Sequence, residues 1–591
     1  MQPCGLVRSP IVRRVVSAAL PRALIATALA SCAAGPQGTE KAPLAPGHAV
    51  APASVAETTT ASGYSLPARA AGVACFPAQP LVPVAAETQF ARLSHSQYRH
   101  TVRDLFGSGD SPEVAFAPDA LNGFGFETST ALRVDPRLGP QYRAMAEALA
   151  ERAVTEPASF ARMVPCAAGA PGCREQFLRS FGEKAFRRPL SDADLATFAQ
   201  RFDAGVAYYQ SGDAFRDGVR MTVELMLQSP EFLYRMEASP TRTAGGRQRL
   251  DDFEVAARLS YFLYDSMPDE PLFAAARAGQ LHTPDQVEAM ARRMLGEARV
   301  LEKLVAFHEQ AWQFGRFASI SPDAATYPRV PRALVWRVRR ATTLFVRDVL
   351  QSGGGLVELL TAPYAYADTG LGPLYGVTSP ATPEPTRPPA NAGGFTRVRF
   401  DPQQRKGLLM QVGYLAANAY AISTDPIHRG LFVIRNLLCR EVPDPPPGAT
   451  STPAPATDRP IVTTRDEVSL LTGQSFCPTC HSEINSPGFA FEGFDAVGQQ
   501  RETDHGAPVD TSGQMVLDGQ LVHFKGPTEL VDLLARSKEA HRCYARRWLE
   551  FAYGRPLAES DLPTLAVIAA NSLPIAELLV AIVRSPEFLS P

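Results

Sequence analysis

The chain has 591 residues and a formal net charge of −2, with 58 basic and 60 acidic side chains. The basic residues are dispersed along the sequence, which argues against nucleic-acid binding and against electrostatic attraction to an anionic membrane surface. Since one domain usually takes about 100–200 residues, the length predicts several domains.

The N-terminus has the pattern of an export signal. Four arginines precede a short apolar run at residues 23–30, which is too short to span a bilayer. The run ends in LASC, which resembles a bacterial lipoprotein cleavage box. This resemblance implies a signal peptide at residues 1–31, and lipidation of Cys32 as the first mature residue. The alternative is an ordinary secretory signal with a chance cysteine; either predicts an exported protein.

The next segment, residues 32–87, is rich in Ala, Pro, Gly and Thr and is predicted to be a disordered tether. From residue 88 the chain is predicted to be mainly α, with a few short strands and Pro-rich loops. It is expected to form an array of small helical units around a long central helical domain. The predicted units lie at residues 88–155, 166–237, 247–377, 402–505 and 515–591.

Hydrophobic periodicity and capping residues predict individual helices. The first is capped by Ser94 and ends at Gly107. Further helices are predicted at residues 141–154, 252–264, 283–295, 300–314, 330–350, 405–421 and 428–439. The best strand signal is a hairpin at residues 515–524. Residues 378–394 and 443–460 are Pro-rich and predicted to be loops or linkers.

One pattern occurs twice in the chain. Residues 185–195 resemble residues 552–562, and each copy is followed by a helix that ends in SPEFL. An aromatic helix that begins near a cysteine, Cys173 or Cys543, precedes each copy. The pattern predicts two related helical units, at residues 166–237 and 515–591, on either side of the middle of the protein.

The repeat also suggests how the cysteines pair. Cys166 and Cys173 bracket a short loop, so a local disulfide is predicted in an oxidising compartment. Cys543, the counterpart of Cys173, needs another partner, and Cys439 at the end of a predicted helix is the natural candidate. Cys75 is left over on the tether.

The most informative motif is CPTCH at residues 477–481, the attachment pattern for c-type haem. Two thiols at this spacing can each add to one vinyl group of a porphyrin, which places His481 under the iron as proximal ligand. The alternatives are a redox or structural disulfide between Cys477 and Cys480, and half of a zinc site. Adjacent Cys480 and His481 rarely both reach one tetrahedral metal, which makes zinc the weakest of the three.

The motif is predicted to open a helix, with a turn at residues 485–488. Three aromatic side chains, Phe489, Phe491 and Phe494, are candidates for the wall of an apolar haem pocket. The alternative for these three is ordinary core packing.

Two residues are the main candidates for a distal ligand to the iron, and His505, His523 and His541 are weaker ones. Met515 lies downstream of the motif, where small c-type cytochromes often carry an axial methionine, and His428 lies upstream. An open position on the iron would favour peroxide or oxygen chemistry, whereas a closed one would favour electron transfer.

The chain from about residue 88 resembles exported bacterial proteins built from a series of domains of unknown function, named after the domain numbered 1592, with companion domains numbered 1587, 1595, 1588 and 1585. The resemblance rests on residues 92–107, 181–190, 259–269, 428–430, 477–481 and 488–498. It implies five helical units in a fixed order, of which the fourth, at residues 402–505, is cytochrome-c-like.

The resulting expectation is an outer-membrane or periplasmic lipoprotein with one haem c, acting in electron transfer or haem-linked oxidation with an unidentified redox partner. Its lipid would be its only membrane anchor. The first alternative is a haem-free surface scaffold or carbohydrate-binding protein in which Cys477 and Cys480 are structural. The second is a zinc-stabilised helical protein. No catalytic residue is assigned, and whether the protein is an enzyme stays open.

Overall fold

The structure is a computed structural model. It describes residues 89–107, 116–119, 125–128, 130–244, 246–377, 393–444, 461–474, 477–570 and 572–591, together with the two-residue strands β1 (Thr58–Thr59) and β2 (Ser65–Leu66). The fold is mainly helical, as predicted, and its strands pair only in small two-stranded antiparallel sheets.

The first part of the fold is a group of helices around its own hydrophobic core. In α1, Ser94 and Gln97 form a capping box, and Gly107 ends the helix in the left-handed conformation. A sheet of β3 and β4 joins the start of this group to its end. The elements are β3 (Gln89–Arg92), α1 (His95–Phe106), α2 (Leu138–Thr155), α3 (Pro157–Met163), α4 (Cys173–Phe186), α5 (Asp192–Tyr209), α6 (Ala214–Gln228), α7 (Pro230–Leu233) and β4 (Tyr234–Glu237).

The middle of the chain contributes to a second, larger core that continues to the C-terminus. Capping boxes at Asp251 and Thr283 begin two of its helices. The elements are α8 (Asp252–Leu263), α9 (Glu270–Arg277), α10 (Pro284–Leu295), α11 (Ala298–Ala311), a 3₁₀ helix (Phe314–Ser319), α12 (Leu334–Gln351), α13 (Leu356–Thr361), β5 (Tyr364–Ala367), a 3₁₀ helix (Gly372–Tyr375) and β6 (Thr396–Arg399).

The region that contains the CPTCH motif has short helices and two small sheets. Its elements are a 3₁₀ helix (Leu408–Met410), α14 (Val412–Ala417), α15 (Pro426–Phe432) continued by a π-helical turn (Val433–Leu437), α16 (Thr464–Thr472), α17 (Pro478–Phe489), β7 (Thr503–Asp504), β8 (Ala507–Pro508), β9 (Ser512–Leu517) and β10 (Gln520–Lys525). The hairpin of β9 and β10 pairs Met515 with Val522, which confirms the strand prediction at residues 515–524.

The C-terminal part is helical and packs into the second core. Its elements are α18 (Gly526–Arg536), α19 (Lys538–Tyr553), a 3₁₀ helix (Glu559–Asp561), α20 (Leu562–Ala569), α21 (Ile575–Val583) and α22 (Pro586–Leu589). Within the described residues, no helix is both long and apolar enough to cross a membrane.

One predicted helix, at residues 405–421, is wrong. Gly407 has a positive φ of 63°, and a Cβ on it would overlap the carbonyl of Leu360. This close backbone approach interrupts any helix from residue 405. The helical part is limited to the short 3₁₀ helix and α14, and the side-chain amide of Asn418 donates to the carbonyl of Tyr414 at the end of α14.

Two disulfides cross-link the chain, Cys166–Cys173 and Cys439–Cys543, and these are the two pairs predicted from the sequence. The first closes a loop with a sequence separation of 7 residues, the second one of 104 residues. The second bond joins Cys439, which follows the π-helical turn, to Cys543 in α19. It therefore links the motif-containing region to the C-terminal helices. The predicted lipidation site Cys32 and the leftover Cys75 lie outside the described residues.

Candidate functional site at the CPTCH motif

The CPTCH motif forms the first turn of α17. The N–H of Cys477 donates to the carbonyl of Gln474 at 3.0 Å, and the carbonyl of Cys477 accepts from the N–H groups of Cys480 and His481 at 3.2 and 3.0 Å. Pro478 occupies the first turn, where its missing N–H is not needed. Because positions i, i+3 and i+4 of a helix are neighbours, both cysteines and the histidine lie on one side of α17.

The two thiols of the motif are free and partly exposed. Cys480 packs against the second core, and burial raises the pKa of its thiol, with Cys477 and Glu483 acting in the same direction. Cys480 is therefore protonated at neutral pH. In this described turn, Cys477 and Cys480 are not joined by a disulfide, which was one of the alternatives for the motif.

His481 is held by a hydrogen bond from its own helix. Its Nδ1 lies 2.9 Å from the side-chain oxygen of Asn485, one turn later. The amide nitrogen of Asn485 donates to the hydroxyl of Thr472 at 2.8 Å, which connects α17 to α16. Among the described residues, none is hydrogen-bonded to Nε2 of His481. Neither Asn485 nor Thr472 was predicted from the sequence, although the i, i+4 spacing of His481 and Asn485 is a usable signal for the first of them.

The helix that carries the motif is in backbone contact with α15. A Cβ on Gly430 would overlap the carbonyl oxygen of Ile484, and one on Gly488 would overlap that of Pro426. These pairings mean that the two helices run antiparallel where they cross. Only glycine at both positions permits this approach.

α17 also continues through a segment that was predicted to be a turn. Residues 485–488 are helical, with Pro487 inside the helix, so the turn prediction is wrong. Proline lacks the N–H for the helical hydrogen bond and normally breaks a helix. Here the close contact of Gly488 with α15 holds the last turn in place.

A buried ionic network holds the chain just after α17. Arg429 is fully buried, and its guanidinium donates to the carbonyls of Leu415, Asn418, Phe491, Phe494 and Asp495 at 2.9–3.2 Å. Glu492 lies 3.5 Å from Arg429 and accepts from Arg501 at 2.9 Å. Burial lowers the pKa of Arg429 and raises that of Glu492. Since each charge has partners, the network is a structural element of this region.

The three phenylalanines that follow the motif are covered by protein side chains. Phe491 packs edge-on against Tyr414, with ring centroids 5.7 Å apart. The guanidinium of Arg405 lies 4.5 Å from the ring of Phe494, and that of Arg465 lies 4.7 Å from the ring of Phe489. All three are buried, which matches the core-packing alternative.

The two candidate distal ligands lie on different elements beside α17. Met515 is buried in β9, and the N–H of the neighbouring Gln514 donates to the hydroxyl of Ser486 at 2.8 Å. His428 is near the start of α15, about half exposed, with its Nδ1 2.5 Å from a carboxylate oxygen of Asp425. Because Pro426 faces Gly488 and Gly430 faces Ile484, His428 lies level with the later part of α17 and beyond His481 along that helix.

The described residues contain no set of ligands that would support the zinc alternative. Within them, no group of three or more His, Cys, Asp or Glu side chains is arranged to hold a metal ion. The motif itself offers two thiols and one imidazole on a single helical turn, an arrangement unsuited to closing a tetrahedron around one metal.

Comparison with protein families identifies a multi-domain helical protein assembled from domains of unknown function. The chain carries, in order, domains that match Protein of unknown function (DUF1587) at residues 91–155, (DUF1595) at 173–237, (DUF1592) at 250–377, (DUF1588) at 405–504 and (DUF1585) at 522–588. This is the domain family that the sequence resembles. The CPTCH motif lies within the DUF1588 match. No curated protein and no solved structure matches the chain.

Proposed function

We propose that the protein is an exported lipoprotein that carries one covalent c-type haem on Cys477 and Cys480, with His481 as proximal ligand. The observation that carries this proposal is the arrangement of the first turn of α17. Two free thiols and an imidazole lie on one side of the turn, and Nδ1 of His481 is held by Asn485. A hydrogen bond to the ring nitrogen that does not bind the metal is the usual support for a metal-binding histidine.

The state of the thiols fits covalent attachment. Each thiol adds across one vinyl group: a C–S bond forms at one vinyl carbon, the thiol hydrogen ends on the other, and nothing leaves. The reaction needs two reduced thiols, which is the state of Cys477 and Cys480 here. The two other cysteine pairs are held in disulfides. The motif therefore offers both reactive groups without competition from those pairs.

When bound, haem c supplies one-electron transfer, or peroxide or oxygen chemistry if one axial position of the iron stays open. Met515 and His428 remain the candidate distal ligands. Met515 is carried by the hairpin that packs on α17. Nδ1 of His428 is hydrogen-bonded to Asp425, so Nε2 is the ring nitrogen that is left to bind a metal.

The proposed location follows from the N-terminal pattern. Lipidation at Cys32 would place the folded domains in the periplasm or on the outer membrane, at the end of the tether at residues 32–87. This is the compartment in which disulfides form and persist. The two disulfides of the fold are consistent with it. The redox partner is proposed only as a protein or small molecule that reaches the motif from solvent.

The test is a pyridine haemochrome spectrum of the full chain made in a strain that matures c-type haem. We expect a red protein whose haem survives acid–acetone extraction. Cys480→Ser should reduce or abolish covalent attachment. In the absorption spectrum of the native protein, taken without pyridine, His481→Ala should abolish the features of a histidine-ligated iron. His282→Ala, a change at an exposed histidine just before α10, is the matched control and should leave the spectrum unchanged.

The haem-free scaffold or carbohydrate-binding alternative makes the opposite prediction. A colourless protein with titratable thiols at Cys477 and Cys480, produced alongside a control cytochrome that does mature, would overturn the haem proposal. The family matches describe no activity, so this outcome would leave the domain assignment intact.

A further inference from the structure

The hydrogen bonds around His481 form a chain that leads away from the motif. The links run from Nδ1 of His481 to Asn485 at 2.9 Å, from Asn485 to Thr472 at 2.8 Å, and from Thr472 to the carbonyl of Val468 at 2.6 Å. Asn485 and Thr472 are both buried. One end of this chain of hydrogen bonds lies in α16 and the other in α17. The hydrogen bonds therefore also fix the two helices relative to each other.

The direction of every bond in this chain follows from its last member. A carbonyl oxygen only accepts, so the hydroxyl of Thr472 must donate its one hydrogen to Val468. That hydroxyl can then only accept from Asn485, which must present its NH₂ group. The side-chain oxygen of Asn485 consequently faces His481 and accepts, so that Nδ1 of the neutral imidazole is the donor.

We propose that Asn485 is a positioning residue that holds His481 in the tautomer with its proton on Nδ1 and its lone pair on Nε2. The inference rests on the proposed function and deepens it, because a lone pair on Nε2 is what a proximal ligand offers to iron. Which nitrogen of a histidine binds a metal is set by the hydrogen bond that the other nitrogen makes. Asn485 thereby sets both the orientation of the ring and its electron donation.

The first arm of the test needs no haem. The apo protein, labelled with ¹⁵N-histidine, is examined by NMR at about pH 8.5, some two units above the ordinary pKa of histidine. The signal lost in His481→Ala identifies His481. We expect its Nδ1 to have the shift of a protonated nitrogen and its Nε2 that of an unprotonated one. In Asn485→Leu the two shifts should move toward averaged values. Asn418→Leu, a change at another buried asparagine, should leave them unchanged.

The second arm uses the haem-loaded protein. We expect Asn485→Asp to lower the reduction potential, because a carboxylate draws the Nδ1 proton more strongly and makes Nε2 a stronger donor. Asn485→Leu should raise it, and both variants should keep their covalent haem. If Asn485→Leu does not fold, the tautomer of the wild-type apo protein and the potential of Asn485→Asp still decide the matter.

The outcomes separate the inference from the proposed function. An Nε2-protonated His481 in the apo wild-type protein, or a red protein whose potential is the same in Asn485→Asp and wild type, would overturn the role of Asn485. A colourless wild-type protein would overturn the haem proposal, while the NMR arm would still decide whether Asn485 sets the tautomer.

Discussion

Gly430 and Gly488 bring the backbones of α15 and α17 into direct contact, and neither position has room for a Cβ. The contact joins the helix that opens with CPTCH to the helix that carries Arg429, whose guanidinium in turn holds the carbonyls of the segment after α17. The orientation of the motif therefore depends on a glycine pair at the helix crossing: Gly488, which lies beyond the motif along α17, and Gly430 in α15.

We predict that Gly430→Ala destabilises the protein by about 1–3 kcal/mol, because the new methyl group overlaps backbone that cannot move aside without separating the helices. Alanine is otherwise the better helix former by about 1 kcal/mol. The matched control is Gly139→Ala in α2, where a Cβ meets nothing within 4 Å. Urea unfolding should show a loss only for Gly430→Ala, and equal midpoints for both variants would contradict the account of the crossing.

His308 makes the stability depend on pH. It is fully buried between the carbonyl of Leu304 and the hydroxyl of Tyr544, and burial lowers its pKa to about 4. In the unfolded chain the pKa of histidine is about 6.5, so the unfolded state takes up the proton first as pH falls. Stability is then lost between about pH 6.5 and 4, by about 3 kcal/mol in all.

The variant His308→Gln removes this titration. Its free energy of unfolding should fall less than that of the wild type between pH 7 and pH 4, when both are measured by urea unfolding. His523→Gln, at an exposed position, is the control and should follow the wild type. Parallel pH profiles for His308→Gln and the wild type would show that His308 does not carry the dependence.

The two disulfides should differ in what they contribute. In the chain-entropy model, a bond with a separation of 104 residues stabilises by about 4–5 kcal/mol and one with a separation of 7 by about 2–3 kcal/mol. The double variant Cys439→Ser/Cys543→Ser should therefore lose more stability in urea than Cys166→Ser/Cys173→Ser. The reverse order would mean that strain or residual structure outweighs loop closure.

Lipidation at Cys32 predicts a simple fractionation result. The wild-type protein should sediment with membranes and be extracted by detergent, because lipid on Cys32 would be its anchor. Cys32→Ser should be released into the soluble fraction, while Cys75→Ser, a cysteine change on the proposed tether, should behave as the wild type does. Membrane association that persists in Cys32→Ser would contradict the lipoprotein proposal.

The parts of the fold that could be predicted depend on local signals. The capping box at Ser94 and the left-handed Gly107 each depend only on residues within about one turn of their own end of α1. The bounds of α1 can therefore be inferred from the sequence. The hairpin at residues 515–524 follows from alternation along two short strands. The Cys166–Cys173 pair follows from the short loop between the two cysteines, and the repeat suggested the Cys439–Cys543 pair.

The parts that could not be predicted depend on contacts between distant segments. Gly407 ends a predicted helix only because the backbone of Leu360 passes beside it. Pro487 stays helical because Gly488 packs on α15. Thr472 supports His481 through Asn485, from a different helix. None of these contacts leaves a periodic pattern in the sequence, so only the folded structure brings them out.

The central claim is the covalent attachment of haem at the motif, and peptide mass mapping tests it most directly. The full chain, made with c-type maturation, is digested without reduction, and the peptide that contains Cys477, Cys480 and His481 is weighed. The account predicts a mass increased by that of one haem, with no increase in Cys477→Ser/Cys480→Ser. An unmodified peptide with both thiols free, from cells that attach haem to a control cytochrome, would contradict it.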